Sequence, residues 1–471
     1  MMNPLNLVTH SLFKQIAQYV TQYEIKSNDT LAYALLRLRD AVGCAAEGMS
    51  YPECIKHLGP IVPGTWVPHG ARVIGTQLEL DPIKATFDNA VLMSWSRHND
   101  CLVSEDGNLF ASPSICISSV LSVSDFVSRQ HIAGGYPSLS MKELLVSIVK
   151  VYEIFGAFLT YVETKDSGSN QNTNNYLAAK IASVAVCTHI LGGGEIEIID
   201  ALSQVCADGL SIDLVNEEGA YRHLWGSGDS VSRAIRLALI TMTGESGYSK
   251  INNERHESRC PSDENQPVQI NLQDHFIKNA FTKFHGSAVP AITSAIEAAS
   301  LLNIDIVTNK DAIESVTVEF TTNKDDFLQQ ANLTASNESF SEELKLIVAA
   351  LFTGEVSYQQ LKSTQFFNAS LSNANVKLEP TEPNENLING LSARVRVEFN
   401  NGEEPKTAQV RLPISDVSRF DEQQELLIGK FSQQAQMRYP KKHAEQISHL
   451  MENLDNVTNM TVNEFMDFLV I

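Results

Sequence analysis

Apolar residues recur every three or four positions over much of the first half of the chain, which is the pattern of helices that bury one face. One such helix carries apolar residues on one face and stops at a glycine, at Leu31, Leu35, Leu38, Val42, Ala45 and Gly48. Further apolar helices are predicted over residues 140–161, 177–191, 196–206 and 228–243. Because so many apolar helices follow one another, we expect them to pack on one another rather than on a sheet.

The pattern changes beyond a polar stretch at residues 252–273, which marks a domain boundary. Alternating apolar and polar residues predict strands at residues 316–320, 376–378, 395–399 and 407–412. The turn signal Asn400-Asn401-Gly402 joins the last two strands into a hairpin. Helices are predicted at residues 288–302, at 341–352 and from 421 onwards. A small α+β domain therefore lies between two helical regions.

Length and charge limit the classes of partner. A chain of 471 residues exceeds the roughly 250–300 at which a single core stops growing, so two or three domains are expected. The formal net charge of -21 argues against a nucleic-acid partner, since phosphate binding needs a positive face. It leaves room for an anionic small molecule, because a local cluster of cations can invert the field inside one cleft.

Other composition features indicate a cytoplasmic protein. The seven cysteines are an odd count without a Cys-x-x-Cys pair, which favours reduced thiols over a disulfide framework. We expect no membrane partner, since no span approaches the roughly 18 apolar residues of a membrane helix and no signal peptide is recognisable. No spacing of His, Cys, Asp and Glu resembles a metal site, so no metal is predicted.

A polar, irregular segment from Trp95 to Pro113 separates two apolar segments with the character of buried helices. Such a loop is where a helical enzyme holds groups against a small substrate, although an ordinary surface connection is the alternative. Its residues 97–101, Arg-His-Asn-Asp-Cys, combine a cation, an imidazole, a carboxylate and a thiol. A pair of Cys101 and His98 would suit nucleophilic catalysis. Proximity in sequence, however, seldom gives the orientation that this chemistry needs.

Two more candidates lie further along the chain. Arg222 and His223 precede a helix start near Asp229, where cations and free N–H groups can meet a carboxylate. The alternative is that Asp229 only caps that helix. Lys283 lies at the start of the second domain, where a lid would reach into a cleft, and a plain surface lysine is its alternative.

Several segments spread along the chain match a known family. They are Tyr51-Pro-Glu-Cys, Leu58-Gly-Pro-Ile-Val-Pro-Gly-Thr, Gly70-Ala-Arg-Val, Lys180-Ile-Ala-Ser, Ser232-Arg-Ala-Ile-Arg-Leu-Ala-Leu and Val462-Asn-Glu-Phe-Met-Asp. In them the sequence resembles the MmgE/PrpD family, and in particular its 2-methylcitrate dehydratase branch. The resemblance implies a mainly α homodimer. Its large all-helical domain would be formed by both ends of the chain, residues 1–275 and 415–471, with an inserted smaller α+β lid domain at residues 276–414.

The same resemblance implies a reaction. It is elimination of water from a citrate-like polycarboxylate, without metal or cofactor, in propionate metabolism. Such an elimination needs a base, an acid for the leaving hydroxyl and cations for the carboxylates. The family's Asp-Phe-Asn-Asp-Thr box falls on residues 97–101, its first lysine on His223 and its lid lysine on Lys283. The predicted catalytic residues are therefore Lys283, His223 and Asp100, and the predicted substrate-binding residues are Arg97, His98, Cys101, Ser112 and Arg222.

The sequence departs from the family pattern within this set. Arg97 and Cys101 stand for the first Asp and the Thr of the box, and Ser112 and Asn175 stand for two family histidines. Serine and asparagine cannot act as general bases near neutral pH, and losing a proton-transfer group typically costs ~10²- to 10⁴-fold in rate. Two hypotheses stay open. One is a PrpD-like hydro-lyase that uses His223, His98 and Lys283, and the other is a catalytically inactive paralogue that keeps the fold and dimer for a binding or structural role.

Overall fold

The computed structural model describes residues 4–103, 110–165, 171–208, 222–248, 270–273, 275–284, 290–304, 312–321, 342–354, 375–381, 387–388 and 390–471. The helices of the first part are α1 (Pro4–Gln22), α2 (Asn28–Gly48), α3 (Pro52–Ile55), α4 (Pro82–Trp95), α5 (Ile115–Ala133), α6 (Met141–Lys165), α7 (Gln171–Ile190), α8 (Glu195–Ala207), α9 (Arg222–Thr241) and α10 (Phe276–Asn279). Those that follow are α11 (Pro290–Leu302), α12 (Glu342–Thr353), α13 (Phe420–Gln436), α14 (Lys441–Glu452), α15 (Leu454–Thr458) and α16 (Val462–Phe468).

The strands among these residues are short in the first part of the chain and longer in the second. They are β1 (Ala71–Arg72), β2 (Glu79–Leu80), β3 (Leu102–Val103), β4 (Phe110–Ala111), β5 (Ile313–Phe320), β6 (Asn375–Pro380), β7 (Ala393–Phe399) and β8 (Lys406–Val410). The first two pairs, β1 with β2 and β3 with β4, are antiparallel hairpin-like ladders. The prediction of a mainly α protein with a minor α+β part is confirmed.

The first of two compact units is helical and comprises Met1–Asp100, Ser112–Asn279 and Gln434–Ile471. Within it α4 packs against α2, α5 and α9, and α7 packs against α6, α8 and α9. Most of the described side chains of α5 and α7 are buried, because apolar and small residues predominate along both helices. The expected packing of helix on helix is therefore present.

Local signals in the sequence begin these helices. The carboxylate of Asp81 accepts hydrogen bonds from the backbone N–H groups of Ile83 and Lys84, each at 3.0 Å, and Pro82 occupies the first turn of α4. At the start of α6, Ser140 and Glu143 form a reciprocal capping box. These caps satisfy N–H groups that a helix start otherwise leaves without partners.

The second unit comprises Cys101–Ala111 and Ala280–Gln433. Its sheet has the strand order β6-β5-β7-β8, with β5 parallel to β6 and antiparallel to β7. Helices α11 and α12 pack against each other, and α11 also packs on β7 and β8, which buries an apolar core. The predicted hairpin is present, since β7 and β8 pair across the turn that contains Gly402. The domain limits at 275/276 and 414/415 remain predictions, while the compact units change at 279/280 and 433/434.

The structure changes the interpretation of two composition features, the apolar spans and the cysteines. Among the described residues, one helix segment, Met141–Val162 of α6, is long and apolar enough to cross a membrane, but 78% of it is buried inside the protein, as in a core helix. The thiols of Cys44, Cys54, Cys101, Cys116 and Cys187 are free and buried, whereas Cys206 is disulfide-bonded. The expectation of reduced thiols is therefore wrong for Cys206, because disulfide pairing follows spatial proximity rather than sequence spacing.

Candidate functional site

The loop predicted to carry the site leaves α4 through a turn at Arg97. The backbone of Arg97 has a φ of 59°, in the left-handed region that non-glycine residues rarely occupy. Its N–H donates to the carbonyl of Ser94 at 3.1 Å. A left-handed residue at this place turns the chain away from the helix axis. The three residues that follow, His98, Asn99 and Asp100, are buried.

His98 pairs with a glutamate from a different helix. Its Nδ1 lies 2.7 Å from Oε2 of Glu47, which also accepts a 2.9 Å hydrogen bond from Nε2 of Gln434. Burial by itself would raise the pKa of Glu47, but the hydrogen bond and charge of His98, helped by Gln434 and Ser96, lower that pKa to about 2. Glu47 is therefore a carboxylate at neutral pH. Because a carboxylate only accepts, Nδ1 of His98 is the donor of their hydrogen bond.

Asp100 lies in a second buried network of the same unit. Its Oδ2 accepts a 2.7 Å hydrogen bond from the hydroxyl of Tyr152, and Nε of Arg37 lies 3.7 Å from the same oxygen. Burial raises the pKa of Asp100, and the attraction of Arg37 with hydrogen bonds from Tyr152 and Ser114 offsets only part of that effect. The predicted catalytic Asp100 is thus a fully buried carboxyl held between α2 and α6.

Ser112 lies at the other end of the loop, before α5. Its side chain is half-buried, and its carbonyl accepts from the N–H of Ile115 at 3.5 Å. The neighbouring Ser114 receives a 3.2 Å hydrogen bond from Nδ2 of Asn99 through its hydroxyl. The two ends of the predicted loop are therefore joined inside the first unit by Asn99 and Ser114.

Cys101 and Lys283 both belong to the second unit. The backbone of Cys101 pairs with that of Phe281 in antiparallel fashion, with N–H to oxygen distances of 2.9 and 2.7 Å. Lys283 follows two residues after Phe281, and its side chain is buried. Cys101 therefore lies opposite Phe281 in a short antiparallel bridge, and Lys283 is two residues further along the strand partner's segment.

The remaining predicted residues, Arg222 and His223, open α9, but their side chains lie outside the described residues. A pairing of His223 with His98 therefore stays a prediction. Within the ranges given above, no group of three or more His, Cys, Asp and Glu side chains is arranged to hold a metal ion.

Sequence reasoning missed the partners of the predicted residues. Glu47, Arg37 and Tyr152 lie on helices whose apolar periodicity predicts only packing, and they contact residues about 50 or more positions away. One signal was usable. Arg37 and Glu47 are charged residues within an apolar helix, and a buried charge requires a partner.

Several curated proteins similar to this chain are named 2-methylcitrate dehydratase. The chain is 40% identical to the 2-methylcitrate dehydratase of Cupriavidus necator over 240 residues, 50% of this chain and 48% of that protein. It is 38% identical to that of Escherichia coli K12 over 244 residues, 50% of this chain and 47% of that protein. The chain thus matches about half the length of these bacterial relatives. The chain is also 25% identical to the mitochondrial 2-methylcitrate dehydratase of Yarrowia lipolytica, in a match that covers 98% of this chain and 90% of that protein.

A family model points the same way. The model of the MmgE/PrpD N-terminal domain matches residues 14–257, about half of the chain. That range contains the turn at Arg97, the pair of Glu47 and His98, and the network of Asp100 with Arg37 and Tyr152. The chain belongs to the MmgE/PrpD family.

Proposed function

We propose that this protein is a hydro-lyase of the 2-methylcitrate dehydratase type, which removes water from a citrate-like polycarboxylate in propionate metabolism. The observation that carries the proposal is the short segment after α4, where His98 is held by an ionised glutamate and Asp100 has a raised pKa. Carboxyl groups whose environments move their pKa values in opposite directions are typical of sites that divide acid and base roles. The names of the similar proteins support the class of substrate.

The reaction assigns tasks to this segment. Elimination removes a proton beside a carboxylate and protonates a leaving hydroxyl, while cations hold the negative charge of the substrate. Under the proposal Arg97 and Lys283 bind substrate carboxylates, and Asp100 with His98 and His223 handles protons. The protein works in the cytoplasm as a homodimer, with no cofactor, nucleic acid or membrane as partner.

A catalytically inactive paralogue is the second candidate, and specific residues favour it. Ser112 and Asn175 occupy positions where the resemblance expects histidines, and neither side chain transfers protons near neutral pH. Asp100 is fully buried, which separates it from solvent and leaves its task structural under this reading. Such a protein would keep the fold and bind a polycarboxylate without converting it.

A direct assay separates the two candidates. Purified protein is incubated with 2-methylcitrate and with citrate, and the ultraviolet absorbance of the unsaturated acid is followed. The proposal expects turnover that depends on enzyme concentration and is lost in Lys283→Ala. The matched comparison is the double variant Arg97→Asp with Ser112→His, which restores two residues of the family pattern. If the double variant converts substrate while the unmodified protein only binds it in calorimetry, the inactive paralogue is the correct function.

A further inference from the structure

A buried histidine and carboxylate form a pair next to the turn at Arg97. Nδ1 of His98 and Oε2 of Glu47 are 2.7 Å apart, and His98 is 4% exposed. Glu47 is the penultimate residue of α2, and His98 is the third residue after α4. Gln434, from α13, holds Glu47 from another direction at 2.9 Å. Three separate segments therefore fix the positions of the carboxylate and the imidazole ring.

This arrangement determines which ring nitrogen exchanges protons. Because the Glu47 carboxylate accepts from Nδ1, the Nε2 atom is the nitrogen of His98 that takes up or releases a proton. A carboxylate behind an imidazole also holds the ring in one orientation and stabilises the imidazolium when it forms. The pair therefore has the two properties of a general acid–base unit, a defined tautomer and a counter-charge.

Glu47 is the charged partner that the described part of the chain shows for the ring of His98. Gln434, which donates to the carboxylate, carries no charge, and the thiol of Cys44 lies 3.8 Å from Nε2 of Gln434. The charged residues nearest to His98 along the chain are Arg97, directly before it, and Asp100, two positions after it. Asp100 directs its Oδ2 to Tyr152 and Arg37 rather than to His98.

We infer that His98 is the proton-transfer residue of the proposed elimination and that Glu47 is its positioning residue. The inference rests on the proposed function. It identifies an imidazole for a chain in which Ser112 and Asn175 cannot supply one. It also gives a task to Glu47, which the sequence pattern alone presents as the end of a packed helix.

The step balances without a further reactant. Nε2 of His98 takes the proton from the carbon next to the one that carries the hydroxyl. The electron pair of the broken C–H bond forms the C=C bond, and the C–O bond breaks. The imidazolium then returns its proton to the departing hydroxyl, so that water leaves and the histidine is neutral again.

The test compares variants of His98 and of Glu47. His98→Asn keeps a donor near the position of Nδ1 but removes the titrating nitrogen, and we expect kcat to fall ~10²- to 10⁴-fold with little change in KM. Glu47→Gln is expected to lower kcat roughly 10- to 10⁴-fold. Glu47→Asp keeps a carboxylate as the acceptor for Nδ1 and is expected to retain more kcat than Glu47→Gln. If Glu47 only supported the fold, kcat per folded molecule would be unchanged in both variants.

His443→Asn is the matched control. His443 is partly buried and its Nε2 lies 2.8 Å from the carbonyl of Phe468, so this variant tests the loss of a hydrogen-bonded histidine elsewhere and should keep the kcat of the unmodified protein. His98→Asn with the kcat of an active unmodified protein would overturn the inference and leave the proposed function standing. An unmodified protein without turnover would overturn both.

A second measurement is independent of turnover and of reduced yields. Nitrogen-15 spectra of labelled histidine in the intact protein identify the His98 tautomer by comparison with His98→Asn. The inference expects the proton on Nδ1 in the neutral ring, and a change of the His98 signal in Glu47→Gln. A neutral ring protonated on Nε2 would overturn it.

Discussion

At the scale of single residues, two buried carboxyl groups in one unit have pKa values that are shifted in opposite directions. Burial disfavours the ionised form of both Glu47 and Asp100. For Glu47 the effect of burial is outweighed, because His98, Gln434 and Ser96 all favour the charged form, and the pKa falls to about 2. For Asp100 the burial is complete and its partners offset only part of the penalty, so the pKa is raised. The number and kind of partners, rather than burial itself, decides the direction.

This contrast predicts how stability depends on pH at Glu47. The folded-state pKa of about 2 is below the ordinary value of 4.5, so its contribution is fully present above pH 4.5 and is lost as the pH falls toward 2. We expect Glu47→Gln to lower the free energy of unfolding by roughly 3 kcal/mol at neutral pH. The difference from the unmodified protein should shrink across that window, which urea unfolding followed by circular dichroism measures.

An exposed glutamate provides the comparison. Glu24 lies at the surface beside Lys26, and Glu24→Gln should change the free energy of unfolding by no more than ~0.5 kcal/mol. If the effect of Glu47→Gln stayed constant from neutral pH to the bottom of the window, Glu47 would not be the ionised, partner-held group described here.

At the scale of elements, the close approach of α2 to α4 depends on Gly48. A Cβ at this position would overlap the backbone oxygen of Leu92, which cannot move aside without moving α4. Glycine costs a helix about 0.5–1 kcal/mol relative to alanine, so packing rather than helix propensity accounts for Gly48. The same approach brings the end of α2, with Glu47, to the turn that follows α4.

Two glycine variants should therefore shift stability in opposite directions. Gly48→Ala is expected to lower the free energy of unfolding by about 1–3 kcal/mol, since overpacking outweighs the gain in helix propensity. Gly429→Ala, in α13, meets no atom within 4 Å and should raise the free energy of unfolding by up to ~1 kcal/mol. Urea and thermal unfolding of both variants measure the shifts. Stabilisation by Gly48→Ala would contradict the close approach.

At the scale of the whole molecule, the C-terminal segment completes the first unit. The N–H of Val462 donates to the carbonyl of Leu139 at 2.9 Å, and the N–H of Gly75 donates to that of Leu469 at 3.1 Å. Asp467 accepts a 2.7 Å hydrogen bond from Arg129. Residues far apart in the chain thus share one core.

Removal of residues 461–471 tests this contribution. The deletion strips four buried side chains, Val462, Phe465, Met466 and Leu469, each worth about 1.5–3 kcal/mol of burial. We expect a melting temperature at least ~10 °C lower, or aggregation on expression. Deletion of the partly exposed Ile471 alone is the control and should cost below ~1 kcal/mol. A truncated chain with the melting temperature of the full chain would show that this segment is dispensable for stability.

Much of the fold followed from periodicity. The apolar repeat at Leu31 to Ala45 became α2, and the alternation at residues 395–399 became β7, because both signals are local and each is set by how one element buries one face. The candidate site was predictable only in part. Asp100 and His98 could be singled out by residue type, but Glu47 lies 51 positions from His98 and Gln434 lies 387 positions from Glu47.

By itself the sequence determined the helices and strands, the change of pattern after residue 273 and the family, since all of these depend on residue type and local spacing. Only the tertiary structure decided that Glu47 faces His98, that Tyr152 and Arg37 hold Asp100, and that Cys101 pairs with Phe281. The physical reason is that buried polar groups take the partners that chain packing brings near, and the pKa values that follow are properties of those partners.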